Sequence, residues 1–155
     1  MSRLKKGDKA PDFSLLDQHE NRISLGDFRG KKLLVYFYPK ASTPGCTQQA
    51  CSVRDSMIEL RAKGVAVVGV SPDQSAKQKR FDDKYDLGFP LLCDTDFKVA
   101  EAYGAFGEKK IFGKTSLGIM RTSILVDEEG RVIEAWYKVK PADTVPNALA
   151  AIEAT

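Results

Sequence analysis

The sequence predicts an α/β domain with a mixed central sheet flanked by helices. Three observations lead there. Residues 33–38 (LLVYFY) and 65–71 (VAVVGVS) are continuous apolar runs, the pattern of strands covered on both faces. Between them lies a stretch of helical periodicity that can carry the chain back across the sheet. Near the end, residues 122–127 (TSILVD) and 131–138 (RVIEAWYK) flank Glu129-Gly130, the sign of an antiparallel hairpin.

The elements follow in order. Residues 13–17 and 22–25 read as short strands around a polar turn. After the strand at 33–38, a helix is expected from 44 to 63, with Gly64 where glycine stops helices. The strand at 65–71 is followed by a polar helix at 75–85, broken by Gly88 and Pro90. A brief strand at 91–93 and a short helix at 98–103 precede the late hairpin, and residues 143–154 close the chain as a helix with Val145, Leu149 and Ile152 on one side. No element is expected between 104 and 121. This order is compatible with a thioredoxin-like fold, although pattern alone does not separate that from other small α/β sandwiches.

At 155 residues and 17.1 kDa the chain suits one domain spanning 1–155. Hydrophobic residues make up 43% and charged residues 29%, which argues against disorder. Lys plus Arg is 24 against 21 acidic residues, and the resulting charge of +3 is too balanced for a nucleic-acid footprint. No apolar run approaches the roughly 18 residues of a membrane helix, and the first residues turn polar at once, so a cytoplasmic location is expected. Cys46, Cys51 and Cys93 are an odd number in a chain that needs no staples, so a disulfide scaffold is excluded. With His19 the only histidine and no CxxC pair, neither a zinc site nor CxxC exchange is expected.

The chemistry points to Pro39-Lys40-Ala41-Ser42-Thr43-Pro44-Gly45-Cys46-Thr47, between a buried strand and a helix, where open α/β sheets place ligands. Thr43 is a good N-cap, Pro44 suits the first helical position, and Cys46 is then the third helical residue. The N-cap side chain reaches toward that third residue, so Thr43 and Cys46 should be neighbours facing unpaired N–H groups and the positive end of the helix dipole. Such a setting favours thiolate, the reactive form. Ala50, Val53, Met57 and Leu60 continue a buried stripe from Cys46, so it can equally be a small core residue. Cys51 lies five residues on; in an unbroken helix the two Cα atoms are roughly 8–9 Å apart, beyond the ~7 Å a disulfide spans. Taken alone, Cys51 can be a thiol without a role, Cys93 in FPLLCD a core or strand-end residue, and Arg121 a solvated strand-end arginine.

Three other chemistries fail on inspection. Gly113-Lys114-Thr115 resembles the end of a phosphate-binding loop, but Glu108 stands where that motif needs glycine. Gly104 and Gly107 do not complete a GxGxxG. A Cys–His hydrolase would need His19, which sits in a polar turn beside Gln18 and Glu20.

The stretch PKASTPGCTQQACSVRD resembles the active-site segment of peroxiredoxins, with the pattern P-x3-T/S-x2-C, and is most similar to the bacterioferritin-comigratory-protein (PrxQ-type) subgroup. The similarity extends to GDKAPDFSL, LLVYFYP, VVGVSPD, EAYG and GKTSLGIMRTSILVDEEGRV, nearly the whole chain. It implies a thioredoxin fold and a thiol peroxidase for hydrogen peroxide and organic hydroperoxides. Cys46 matches the peroxidatic cysteine, Thr43 the hydroxyl that contacts thiolate and peroxide, Pro39 the shielding proline and Arg121 the activating arginine. Cys51 matches the resolving cysteine of members that carry one in the same helix, and the helix at 75–85 has no cysteine to replace it. The resemblance further implies recycling by thioredoxin or a similar dithiol, no metal or organic cofactor, and a monomer or weak dimer. Ala41-Ser42 and Pro141-Ala142-Asp143 depart from common family residues outside the catalytic positions. The rivals are a one-cysteine peroxidase recycled by an external thiol, a peroxide-sensing relay, and an inactive binding module.

Overall fold

The computed structural model describes residues 3–111 and 113–154. Its centre is a five-stranded sheet in the order β5-β4-β3-β8-β9, built from β3 (Lys32–Phe37), β4 (Val65–Ser71), β5 (Leu91–Cys93), β8 (Thr122–Val126) and β9 (Val132–Tyr137). The strands β3, β4 and β5 run parallel, while β8 and β9 are antiparallel to their neighbours. The mixed sheet expected from the sequence is therefore present. Asp127 turns the late hairpin, its carboxylate accepting from the Glu129 and Arg131 amides at 2.9 Å each.

Both faces of β3 are covered, which is why its sequence is apolar throughout rather than alternating. Leu34, Tyr36 and Tyr38 point to one face and pack with Cys46, Ala50, Val53, Met57 and Leu60. Leu33, Val35 and Phe37 point to the other, against Phe13, Val99, Ala100 and Tyr103. The first face carries α1 (Pro44–Asp55), α2 (Met57–Ala62), α3 (Ser75–Tyr85) and α5 (Thr144–Glu153); the second carries α4 (Lys98–Ala102) and the N-terminal segment. The small hairpin of β1 (Ser14–Leu16) and β2 (Arg22–Ser24) matches the expected early strands.

Two differences from the sequence expectation stand out. The helix expected over 44–63 is two helices, broken at Ser56, whose backbone (φ −105°, ψ 4°) leaves the helical region. Serine and aspartate compete for backbone hydrogen bonds, so Asp55-Ser56 is a weak point. The buried stripe nevertheless crosses the break, because Met57 and Leu60 remain in the same cluster as Val53. The second difference is a hairpin of β6 (Phe106–Ile111) and β7 (Lys114–Ile119), where no element was expected. Most of its residues are polar and β7 is largely exposed, so its sequence lacks the apolar alternation that reveals a strand. Among the described residues no helix is long and apolar enough to cross a membrane.

Candidate active site

The site forms where β3 ends. Tyr38 still pairs with the sheet through its amide to the Val70 carbonyl at 3.0 Å, and the chain then turns through the half-buried Pro39 to the start of α1. Buried Asp73, just beyond β4, holds this turn. Its carboxylate accepts from the Ala41 amide at 2.7 Å and from the Ser71 hydroxyl at 2.8 Å. Ser42 takes a left-handed conformation (φ 67°), which swings Thr43 into the N-cap position.

Thr43 occupies the expected cap with extended dihedrals, and its carbonyl accepts the Thr47 amide at 2.8 Å. Its hydroxyl does not cap the helix as expected. It donates to the Lys40 carbonyl at 2.8 Å, closing the loop on itself. The amides of Gly45 and Cys46 thereby receive no side-chain cap from Thr43 and stay open to a ligand.

Cys46 lies in that first turn and is 1% exposed. Arg121 precedes β8 and is 75 residues away in sequence, yet the sheet brings it home. Because β8 runs antiparallel to β3 and Thr122 pairs with Phe37, the start of β8 lies beside the end of β3. Both terminal nitrogens of Arg121 then reach Cys46 Sγ, at 3.5 Å each. The Arg121 carbonyl accepts the Val139 amide at 2.9 Å, which anchors its backbone. A fork of two charged donors on one sulfur, at the positive end of a helix, stabilises negative charge there.

Gly45 permits this approach. A Cβ at that position would lie 3.1 Å from Arg121 Nη2 and 3.6 Å from Pro141 Cγ. The guanidinium thus sits close over the helix backbone, where any larger residue would make it give way by a few tenths of an ångström.

Gln49 completes the arrangement, and sequence reasoning missed it. It is fully buried, its Oε1 accepts from Arg121 Nη1 at 2.6 Å, and its Nε2 donates to Thr144 Oγ1 at 2.8 Å. Its position three residues after Cys46, on the same helical face, was the available signal. Asp73 and Thr144 carried none, since only the fold brings them close. An open cavity of about 620 Å³ leads to Arg121 between Lys109, Thr115, Met120, Lys138 and Val139. Burial, and then the Arg121 charge, lower the pKa of Lys109.

The other cysteines lie outside this cluster. Cys51 is half-buried in α1, and the helix is continuous through both cysteines to Asp55, so no break brings them into bridging range. Arg54 Nη1 donates to the Tyr85 carbonyl at 2.7 Å and ties the end of α1 to the end of α3. Cys93 ends β5, with its sulfur 3.7 Å from the Ser75 hydroxyl, and burial pushes its thiol up. His19 is exposed, 3.9 Å from Asp82.

A buried thiol held by an arginine fork does not by itself name a reaction, and relatives supply the class. Residues 6–135 match the model of the AhpC/TSA family. The chain belongs to the AhpC/TSA family. It is 52% identical over 132 residues to peroxiredoxin Bcp of Escherichia coli K12, covering 85% of each chain. Against peroxiredoxin Bcp of Bacillus subtilis it is 46% identical over 143 residues, covering 92% of this chain and 91% of the other. Peroxiredoxin Q of Xanthomonas campestris superposes with a TM-score of 0.86 at 36% identity, over 92% of this chain and 90% of that one. This peroxiredoxin is accordingly a peroxidase, an oxidoreductase acting on peroxides at the expense of a thiol reductant, with a thioredoxin-like fold.

Proposed function

We propose that the chain reduces hydrogen peroxide and organic hydroperoxides through Cys46, that Cys51 resolves the oxidised form, and that thioredoxin or a similar dithiol restores it. The observation that carries the reading is the pair of Arg121 nitrogens on Cys46 Sγ. In the reaction the Cys46 thiolate attacks the terminal peroxide oxygen. The O–O bond breaks, water or an alcohol leaves after taking a proton, and sulfur becomes a sulfenic acid. Arg121 and the open amides of the first turn of α1 stabilise charge on the two oxygens as they separate. In support, the Xanthomonas bacterioferritin comigratory protein, 35% identical here, is described by its alkyl peroxide reduction activity. Thr43, whose hydroxyl proton goes to the Lys40 carbonyl, keeps its hydroxyl oxygen to accept from the peroxide, and half-buried Pro39 shields the turn before it.

Resolution needs motion. With α1 helical, Cys51 cannot reach Cys46, so the first turns must open while the Arg54–Tyr85 tie holds the other end. Pro44 gives no amide and Gly45 is a poor helix former by about 1 kcal/mol, which lowers the cost of opening. The Cys51 thiolate then attacks the Cys46 sulfur, the hydroxyl leaves as water after gaining a proton, and a disulfide forms. Three free cysteines suit a reducing compartment such as the cytoplasm.

Peptide mapping of the non-reduced protein after one equivalent of peroxide tests this. The expected product is an intramolecular Cys46–Cys51 disulfide with Cys93 free, and hydrogen exchange should rise across 43–54 while β3 and β4 stay protected. A dominant Cys46–Cys93 bridge would move the resolving role. A stable sulfenic acid would favour recycling by an external thiol, and unchanged protection in the disulfide form would contradict the opening step.

Gly45→Ala separates geometry from helix stability. Alanine favours the helix by up to about 1 kcal/mol, yet its methyl group would displace the flexible end of Arg121 by a few tenths of an ångström and loosen its grip on the sulfur. The variant should fold at least as well as wild type and react several-fold more slowly with peroxide, read by thermal melting and rapid quench. An unchanged rate would show that the close approach is immaterial.

A further inference from the structure

We propose that Thr144 is a positioning residue for peroxide attack, acting through Gln49 on Arg121; this rests on the assignment of Cys46 as the reacting thiol. Thr144 opens α5 and is fully buried, as is Gln49. The two are 95 residues apart in sequence and meet at 2.8 Å.

A glutamine amide has an oxygen end and a nitrogen end of nearly the same size, and its neighbours decide which way it faces. Arginine has no acceptor, so the end toward Arg121 Nη1 must be Oε1. Nε2 then points away and needs an acceptor of its own. With Gln49 and Thr144 both fully buried, that acceptor is the Thr144 hydroxyl oxygen. Removing the hydroxyl leaves a buried donor unpaired, which is the costly case, and the amide gains by turning or shifting toward another partner. Either movement withdraws Oε1 from the 2.6 Å contact that fixes one prong of the fork. Apart from Gln49, the guanidinium is held by the sulfur it donates to, at 3.5 Å from each terminal nitrogen, and Nη2 lies close over Gly45. Thr144 therefore sets how firmly Arg121 grips the sulfur without touching sulfur or peroxide.

The placement also predicts which step responds. Gln49 lies in α1, in the part that must open before Cys51 can reach Cys46, whereas Thr144 lies in α5. Their hydrogen bond exists only while α1 is helical, so it favours the conformation that meets peroxide. Losing it should slow sulfenic acid formation and leave disulfide formation no slower. A residue that merely held the fold together would not divide the two steps in this way.

The test is rapid-quench kinetics of the full chain with hydrogen peroxide, following sulfenic acid and disulfide separately. Thr144→Val is expected to lower the rate of Cys46 oxidation about tenfold, the effect of roughly one misplaced hydrogen bond. Disulfide formation should be unchanged or faster. Thr144→Ser, which keeps the hydroxyl, should stay within about twofold of wild type. In a Gln49→Ala background Thr144→Val should add nothing, because the link is already cut. Should the valine variant not fold, Thr144→Ala takes its place in the same comparisons. An unaltered oxidation rate, a full additional loss in the Gln49→Ala background, or failure of serine to rescue would each overturn the proposal. A wild-type protein whose Cys46 does not react would overturn the Cys46 assignment itself, whereas a reacting wild type indifferent to Thr144→Val overturns this inference alone.

Discussion

Replacing Cys46 with serine is expected to reduce peroxide turnover to below about a hundredth of wild type while leaving the protein folded, because a serine hydroxyl stays protonated where a thiol ionises. The substitution is nearly isosteric at a position that is 1% exposed, so the core it joins with Ala50 and Val53 should tolerate it. Turnover is read in an assay coupling peroxide loss to a thioredoxin reductant, and folding by thermal melting. Retention of a tenth of wild-type activity would remove Cys46 from the reaction.

Arg121→Ala should come next in size. Both donors to the sulfur disappear, together with the charge that stabilises the separating oxygens. Loss of a single positioned donor of this kind costs about 10²- to 10³-fold in other enzymes, and a fall of that order in the rate of Cys46 oxidation is expected. Arg121→Lys should not restore it, since a lysine ammonium cannot present a planar fork to the sulfur and still satisfy Gln49. The rate of peroxide consumption in a single turnover measures this directly. A rate for Arg121→Ala within about twofold of wild type would make the arginine a structural neighbour only.

Much of this site was legible in the chain itself. Residues 33–38 and 65–71 announced buried strands because both faces are covered, and Thr43-Pro44 announced the start of α1 because capping is a local matter decided within a few residues. The pairing of Arg121 with Cys46 was different. Nothing between residues 46 and 121 says that β8 will lie beside β3, and only the family motif carried that information. Gln49 was obscured because a polar residue on an apolar helical face looks like a partial exposure rather than a buried connector, and Thr144 because its partner belongs to another element. The β6–β7 hairpin escaped because an exposed ribbon has no apolar side to reveal its period. The break at Ser56 escaped because the buried stripe runs straight through it.

Cys46 is the thiol that peroxide is expected to oxidise. Removing its resolving partner lets the first product accumulate, so the most direct measurement is mass spectrometry of the Cys51→Ser variant treated with one equivalent of hydrogen peroxide in the presence of dimedone, which traps sulfenic acids. A single dimedone adduct on Cys46 and an unmodified Cys93 are expected. An adduct confined to Cys93, or none at all while peroxide is consumed, would contradict this assignment.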